Sequence, residues 1–488
     1  MKLGELLNGI KILKSNANIQ CEIIEVVNDS RKVLPGDAYA AIKGEKRDGG
    51  DYINDALKRG AVAVITENEA SCCGNIPYVL VESTRRAICK MWSNLYGNPA
   101  TGIKTVAITG TNGKTTSAYF LYNILLSAKI PCALISTVEC IINGEKIEAG
   151  DGTVEDIQAT MTTPEPKNLY SLYDKIKKAG VEVAVIEASS HALDQHRLDD
   201  LCIEIGAFTN LSREHLDYHS SMEEYFFAKK RLLEMSKRCV INVDDAYGKL
   251  AYLEYKEKSV GVSRCSLAEI TVNDISKDKN GYSYSLMYQN EKIRIETRLF
   301  GEYNVYNSAI ASSCALLLGV EISSIKAGIL NTTNVKGRME KYGEKEIYID
   351  YAHTPTAMEK AIGVLREMKP GKRLIVLFGC GGNRDKGKRA EMGKVCSSLA
   401  DLSVITSDNP RNENPSEIIS DIVNGIVNNK EFVIIPSRKE AIFFAAGRLK
   451  ENEVLLLLGK GHENYEINAN GRIHFDEREV LDEVFLVD

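Results

Sequence analysis

Residues 105–116 read TVAITGTNGKTT, and the rest of the chain is best understood outward from them. The run Thr105-Val106-Ala107-Ile108 is β-branched and apolar, the pattern of a parallel strand covered on both faces. A glycine turn follows, Gly110-Thr111-Asn112-Gly113, then Lys114-Thr115-Thr116, then apolar residues at helical spacing over 117–128. Such a strand, turn and helix start form a phosphate cradle. Glycines let backbone N–H groups close on an anion, and the helix N-terminus adds partial positive charge. Lys114 reaches terminal phosphates, and the Thr115 hydroxyl is suited to ligate Mg2+. The loop is shorter than the common form, G-x-x-G-K-T-T, with Ile108 where the longer pattern has glycine. It predicts nucleoside triphosphate binding and leaves open the chemistry done with it.

At ~150 residues per domain, 488 residues suggest about three domains, enough to bury several cores. The net charge of −6 supplies no bulk basic field for nucleic acid, and the single Trp gives no stacking platform. Twelve cysteines are scattered, with Cys72-Cys73 adjacent and no C-x-x-C spacing. They predict free thiols in a reducing cytoplasm rather than a metal site or a disulfide framework. Residues 1–15, MKLGELLNGIKILKS, lack the sustained apolar core of a signal peptide. No run approaches the ~18 apolar residues that span a bilayer.

Residues 22–28 and 37–42 read as strands with the polar turn Asp29-Ser30-Arg31 between them, 54–60 as a short helix and 61–66 as a buried strand. The turn-rich Tyr96-Gly97-Asn98-Pro99-Ala100 marks a boundary, and the expected domains are 1–100, 101–333 and 334–488. A long polar stretch, 143–158, precedes Met161-Thr162-Thr163-Pro164, whose two hydroxyls either cap a helix or grip an anion. Residues 181–188, VEVAVIEA, read as a buried strand with Glu187 near its C-terminal end, the edge where open α/β sheets bind ligands. An acid there, beside a phosphate loop, is placed to hold Mg2+. Ser189-Ser190-His191 and Gln195-His196-Arg197 come directly after. A strand at 206–211 leads to Arg213-Glu214-His215-Leu216-Asp217-Tyr218-His219. His215 and His219 have the spacing of a zinc pair on a helix face, but the Glu that follows the first His in zinc peptidases is missing. A structural or capping role for them stays open. Residues 222–235 read as an amphipathic helix carrying Lys229, Lys230 and Arg231.

Alternation over 271–300 predicts antiparallel strands, and 304–318 a helix with Asn304 and Asn307 on one face. From 334 a new series begins, with strands at 347–350, 373–378, 402–406, 432–435 and 454–458 and helices at 356–368, 416–427 and 439–449. This predicts a second doubly wound parallel domain. The polar stretches Asp350-Tyr351-Ala352-His353, GCGGNRDKGKR (379–389), Ser407-Asp408-Asn409-Pro410-Arg411 and Gly459-Lys460-Gly461-His462-Glu463 all follow strand ends. A solvated surface loop is the bland reading of each. It does not explain why they share one sheet edge.

Taken in order, DSRKVLPGD (29–37), GTNGKTT (110–116), TTP (162–164), EASSHALDQHR (187–197), TNLSREHLDYH (209–219), AKKRLL (228–233), FGEYNVYN (300–307), YAHTP (351–355), GCGGNRDKGKR, DNPR (408–411) and GKGHE (459–463) resemble the Mur ligase family over essentially the whole chain. The resemblance implies three α/β domains: a small N-terminal one binding the UDP substrate, a central phosphate-loop ATPase-like one and a C-terminal Rossmann-like one binding the amino acid. It implies an ATP-dependent acid–amino-acid ligase of peptidoglycan precursor synthesis, acting on UDP-N-acetylmuramoyl-L-Ala-D-Glu through an acyl phosphate. Gly110, Thr111, Asn112, Gly113, Lys114, Thr115 and Thr116 would bind ATP, with Asn304 and Arg338 contacting the nucleotide and Asp350 and His353 near it. Thr115 and Glu187 would hold one Mg2+, and His215 with Lys229, carried as a carbamate, a second. Lys114, Glu187, His215 and Lys229 thereby take the catalytic roles. Ser30 would touch the UDP part, and Thr162, Thr163, Ser189, Gln195 and Arg197 the sugar-peptide end. Arg384, Asp408, Asn409, Pro410, Arg411, Gly459 and Glu463 match the pocket for the incoming amino acid.

meso-Diaminopimelate differs from lysine by a distal carboxylate. The Arg411 guanidinium offers bidentate recognition of it, and Glu463 can meet the ammonium on the same centre. A lysine-adding ligase and a phosphate-loop ATPase switch are the alternative readings. Three positions depart from the family pattern: Lys336 for Pro, Thr356 for Asp and Met161 for a polar residue. The implied setting is a cytoplasmic monomer working on small molecules, with no nucleic acid or membrane partner.

Overall fold

The computed structural model describes residues 1–44, 47–72, 75–147, 162–216, 218–265 and 268–486. Met161, Asp217, Cys73 and most of the polar stretch 143–158 lie outside these. The chain divides into two compact units: Met1–Glu214, Ser221–Thr271 and Ile310–Ile325 form the first, and His215–Ser220, Val272–Ala309 and Lys326–Asp488 the second.

The first unit holds two sheets. The N-terminal one runs Ile12–Ser15, Tyr78–Val81, Ala63–Thr66, Ala38–Ala40, Val26–Val27, with all but the first strand parallel. The strand expected over 22–28 is only Val26–Val27. It lies at the sheet edge, where its ladder is two pairs long, Val26 with Ala38 and Val27 with Tyr39. Asp29 Oδ1 accepts from Arg31 N at 3.0 Å and caps the single turn Ser30–Lys32.

At the centre of the second sheet is Lys104–Thr109, buried from Thr105 onward and flanked in parallel by Val183–Glu187 and Ile203–Phe208. Beyond these lie Cys132–Ile135 on one side and Arg238–Asn242 and Ser259–Ser263 on the other, all parallel. The strand expected at 206–211 is shifted to Ile203–Phe208. Thr209 and Asn210 leave the ladder to bond the glycine turn. Helix Lys114–Ser127 follows that turn. Helix Pro166–Lys178 starts after Glu165 without a side-chain cap, so the hydroxyls of Thr162 and Thr163 are not its caps. Its Leu169, Tyr170 and Tyr173 share one core with Met91 and Trp92 of helix Thr84–Leu95.

In the second unit the order is Glu340–Lys341, Ile347–Asp350, Glu453–Leu458, Arg373–Phe378, Leu402–Ile405, Phe432–Ile434, parallel after the first strand. Alternate residues of Arg373–Phe378 enter two cores. Leu374, Val376 and Phe378 meet Met358 and Ile362, whereas Ile375 and Leu377 meet Ile442 and Leu481. That is the doubly wound arrangement. The basic stretch 379–389 is not all loop: helix Gly387–Leu399 begins inside it. Arg389 is fully buried there because Glu413 and Asp421 reach it at 3.0 and 2.9 Å. The helices expected at 416–427 and 439–449 are Pro415–Val423 and Arg438–Ala446. Gly281–Tyr288 and Glu291–Thr297 pair antiparallel.

Cys89, Cys132, Cys140, Cys239, Cys314, Cys380 and Cys396 are free and buried. Burial pushes the Cys140, Cys380 and Cys396 thiols up to about 12. No helix among the described residues is long and apolar enough to cross a membrane.

Candidate active site

The central strand ends at Gly110, where φ is +142°. A Cβ there would lie 1.9 Å from Thr209 Oγ1, so only glycine fits. Gly113, at φ +85°, caps helix Lys114–Ser127. Hydrogen bonds to residues about a hundred positions away fix the turn. Thr111 N donates to Asn210 O (2.8 Å) and Asn112 N to Asn210 Oδ1 (3.0 Å). Asn112 O accepts from Thr209 Oγ1 (2.7 Å) and Asn210 Nδ2 (3.0 Å). The Thr111 and Tyr225 hydroxyls are 3.2 Å apart. Lys114 Nζ donates to the Gly110 and Thr111 carbonyls at 3.0 and 2.9 Å. Thr116 is buried in the first turn of the helix. Sequence reasoning misses Thr209, Asn210 and Tyr225. The TNLSREHLDYH stretch is the available signal for the first two.

Glu187 pairs in register with Ile108, which brings its buried carboxylate to the edge where the glycine turn begins. Its Oε2 accepts from Thr115 Oγ1 (2.9 Å) and Thr137 Oγ1 (3.1 Å), and its Oε1 from Thr137 N (2.8 Å). Thr137 carries no local sequence signal. It arrives through the parallel pairing of Ile135 with Ile186. The oxygens of Thr115 and Glu187 fit a Mg2+ that takes its remaining ligands from phosphates and water. Among the described residues no three His, Cys, Asp or Glu side chains gather as a metal cage.

Lys229 lies on helix Met222–Met235 and is 1% exposed. Its Nζ donates to Gly110 O at 2.8 Å and stands 4.7 Å from the Tyr225 ring centre. Burial, and then the charge of Lys114, hold its ammonium well below the ordinary lysine value. The neighbouring Lys230 instead reaches Glu254 at 2.8 Å.

The first-unit residues expected at the sugar-peptide end gather in one cluster. Thr163 Oγ1 donates to Glu187 O (2.8 Å) and accepts from Ser189 N (3.0 Å). Ser189 caps the turn Ser190–Asp194. Arg197 donates to Thr163 O (2.9 Å) and Gln195 Oε1 (2.6 Å) and pairs with Glu165 (2.7 Å). A cavity of about 230 Å3 opens here, lined by Asn28, Ile42 and Arg85 on one side and Glu165, Gln195 and Arg197 on the other. Thr162 is half-buried at the start of the cluster. Ser30 is outside it, in the turn that follows Asn28.

His215 groups with the second unit. It has φ +55° and its carbonyl accepts from Tyr218 N and His219 N, and neither His215 nor His219 lies in a helix. The two histidines therefore do not share a helix face. Asn304 donates to Phe300 O (2.7 Å) and accepts from Asn307 (2.9 Å). Asp350 accepts from Met339 N and Ala352 N at 2.7 and 2.8 Å, and burial raises its carboxyl above the ordinary value. The Arg338 guanidinium lies 4.9 Å from the Tyr351 ring centre, and His353 Nδ1 is 2.8 Å from Tyr351 O.

Three loops of this unit converge on Asn409. Its Nδ2 donates to Glu463 Oε2 (2.9 Å), and its Oδ1 accepts from Lys460 Nζ (3.2 Å) and Ile467 N (2.9 Å). Gly459 is at φ +110°, and a Cβ there would lie 2.6 Å from Asp408 Oδ2. The Pro410 carbonyl excludes a side chain at Gly382, whose hypothetical Cβ would be 1.9 Å away. Arg411, at φ +53°, donates to Gly382 O (3.0 Å) and Asn409 O (3.3 Å). Arg384 is exposed, its Cγ 3.8 Å from a Cβ built on Gly381. Burial, and then the charge of Asp408, raise the Glu463 carboxyl. Lys336 stands 4.0 Å from Asp476, and Thr356 lies in the first turn of helix Pro355–Met368, capped by Thr354.

Sequence patterns of known families match the chain in three pieces. Residues 22–89 match the Mur ligase family, catalytic domain; 108–315 the Mur ligase middle domain; and 337–461 the Mur ligase, glutamate ligase domain. The UDP-N-acetylmuramoyl-L-alanyl-D-glutamate–2,6-diaminopimelate ligase of Caldanaerobacter subterraneus subsp. tengcongensis is 39% identical over 490 residues, covering 99% of each chain. The ligase of that name from Clostridium perfringens is 38% identical over 491 residues, again 99% of each. A solved structure of a ligase with this name superposes with a TM-score of 0.67 at 29% identity, covering 100% of this chain and 99% of that one. The MurF ligase of Thermotoga maritima in complex with ADP shares the fold, with a TM-score of 0.57 at 19% identity over 95% and 97% of the two chains. On the near full-length identity to these relatives and the three matching domains, the chain belongs to the Mur ligase family.

Proposed function

We propose that this chain joins meso-2,6-diaminopimelate to the D-glutamate of UDP-N-acetylmuramoyl-L-Ala-D-Glu in the cytoplasm, with ATP converted to ADP and phosphate. The near full-length likeness to ligases of that name supports the substrates. The observation that carries the reading is the 2.8 Å bond from Thr163 Oγ1 to Glu187 O. It ties the acceptor cluster to the strand end whose carboxylate bonds Thr115 on the phosphate loop. A carboxylate acceptor and a phosphoryl donor are thereby served by one short segment, 187–189.

The chemistry follows from what a carboxylate lacks. It does not accept an amine, whereas an acyl phosphate does. Gln195 and Arg197 hold the acceptor. Lys114 and the helix N-terminus neutralise the charge of the phosphoryl group in transfer. Thr115 and Glu187 would hold one Mg2+, adding positive charge beside the phosphates, and Lys229 as a carbamate would offer a further anionic ligand there. The diaminopimelate amine then attacks the acyl carbon and phosphate leaves. Arg411 and Glu463 supply the guanidinium and carboxylate that its distal carboxylate and ammonium need.

The test is phosphate release with product mass, using ATP, Mg2+ and the UDP-dipeptide, with meso-diaminopimelate in one tube and L-lysine in the other. Turnover with diaminopimelate alone is expected. Turnover with lysine alone would discard the Arg411 argument and keep the ligase. Phosphate release indifferent to both would mean an ATPase.

A further inference from the structure

Gln195 and Arg197 flank His196, whose φ of +62° ends helix Ser190–Asp194 in the left-handed region, with His196 N donating to Leu193 O (3.2 Å) and Arg197 N to Ala192 O (2.9 Å), and whose ring is then held from outside that helix. The groups around that ring come from three elements of the first unit. Asp199, four residues after Gln195, is the centre. Its Oδ1 accepts from Arg231 Nη2 at 2.9 Å, its Oδ2 from Arg86 Nε at 3.2 Å, and its Oδ2 lies 2.8 Å from His196 Nδ1. Arg231 Nη2 is also 2.7 Å from that same ring nitrogen. A guanidinium donates and a carboxylate accepts, so Nδ1 serves one partner at a time while the Arg231–Asp199 bond persists. Lys90, one turn beyond Arg86 on helix Thr84–Leu95, pairs with Asp200 at 3.0 Å. The Asp199 and Arg231 side chains are 23% and 27% exposed, so the pair is largely screened from water.

We infer that Arg231 and Asp199 are positioning residues for the acceptor substrate: by pinning His196 they set where Gln195 and Arg197 stand at the cavity. The inference rests on the proposed ligase reading. Neither residue touches the reacting atoms. Arg231 sits two positions after Lys229, so one helix holds an amine against the glycine turn and a guanidinium against the acceptor loop. The same pair fastens helix Met222–Met235 to segment 196–200, which Arg86 and Lys90 grip from helix Thr84–Leu95.

The experiment measures binding of UDP-N-acetylmuramoyl-L-Ala-D-Glu to the full chain without ATP by calorimetry, then KM for all three substrates and kcat. Asp199→Asn and Arg231→Ala are each expected to weaken UDP-dipeptide binding and raise its KM about tenfold, leaving the KM for ATP within about twofold and kcat within about threefold. Arg86→Ala, at a side chain 60% exposed and unimportant to the core, is expected to show the same selectivity at about threefold. The double variant Asp199→Asn, Arg231→Ala should lose less than the sum of the two single losses, because the two residues share a bond and the His196 ring. Strictly additive losses, a parallel rise in every KM, or unchanged UDP-dipeptide binding would overturn the inference. If Arg231→Ala fails to fold by circular dichroism, Arg86→Ala decides the matter alone. A wild-type chain that does not bind the UDP-dipeptide sinks the ligase reading itself. A wild type that binds it, with variants that bind equally well, sinks only the positioning role.

Discussion

Lys229 in the first unit and Lys460 in the second are withdrawn from solvent to the same degree, 1% and 0% exposed, but their neighbours differ. Around Lys229 stand a backbone carbonyl at 2.8 Å and the face of Tyr225. Around Lys460 stand Asn409 Oδ1, the Tyr465 carbonyl at 2.8 Å and the Glu463 carboxylate at 3.8 Å. Burial disfavours charge, and only a nearby opposite charge or several acceptors offset it. Burial therefore holds Lys229 below its ordinary value, whereas Lys460 bridges the loops 408–411 and 459–463 and the strand Tyr465–Asn468. The same residue type at the same depth meets one carbonyl and a ring face in one place and three polar groups in the other, and only the first fits the reactive role proposed above.

The largest effect that would test this contrast is on turnover. On the proposed carbamate role, Lys229→Ala and Lys229→Arg should each lower kcat about a hundredfold or more, because neither can form a carbamate and Arg stays charged. Short-chain carboxylates should restore part of the activity of Lys229→Ala and none to Lys229→Arg, whose side chain fills the pocket. Full activity in Lys229→Ala, with no response to bicarbonate, would remove the carbamate. Next in size is stability. Lys460→Met leaves the Tyr465 carbonyl and the Glu463 carboxylate without their cation and should cost about 2–3 kcal/mol in urea unfolding. Lys229→Met should have the opposite sign near neutral pH and raise the melting temperature by a few degrees. The smallest effect is in its pH dependence. Folded Lys229 is held below its ordinary value, so the unfolded chain binds the extra proton, and wild-type stability rises as pH climbs toward the unfolded value of ~10.4. The advantage of Lys229→Met should shrink over that climb. A constant advantage across the range would mean that Lys229 is protonated in the fold.

Much of this was legible in the chain. TVAITG and VEVAVIEA are apolar on both strand faces, which few structures other than a covered parallel sheet accommodate, and the glycine turn between strand and helix located the phosphate loop. What the sequence hid came from contacts distant along it. Thr137 bonds Glu187 only because Ile135 and Ile186 are in register, and Asn210 reaches Asn112 only because two strands end side by side. Residues 22–28 look like a full strand, but at a sheet edge only Val26 and Val27 join the strand ladder. Arg389 reads as part of a solvated basic loop until Glu413 and Asp421 draw it inside. Thr162 and Thr163 look like caps because hydroxyls before proline often are. Thr163 serves the Glu187 carbonyl instead.

The buried thiols add a property unrelated to catalysis. Thiolate is the reacting form, and at Cys140, Cys380 and Cys396 it is suppressed by burial that pushes each thiol up to about 12. Alkylating reagents meet these sulfurs only when the surrounding structure opens. Cys140 belongs to the first unit, and Cys380 and Cys396 to the second. The natural chain thus carries its own clocks: labelling rates at these positions time the opening of each unit separately, without an added probe.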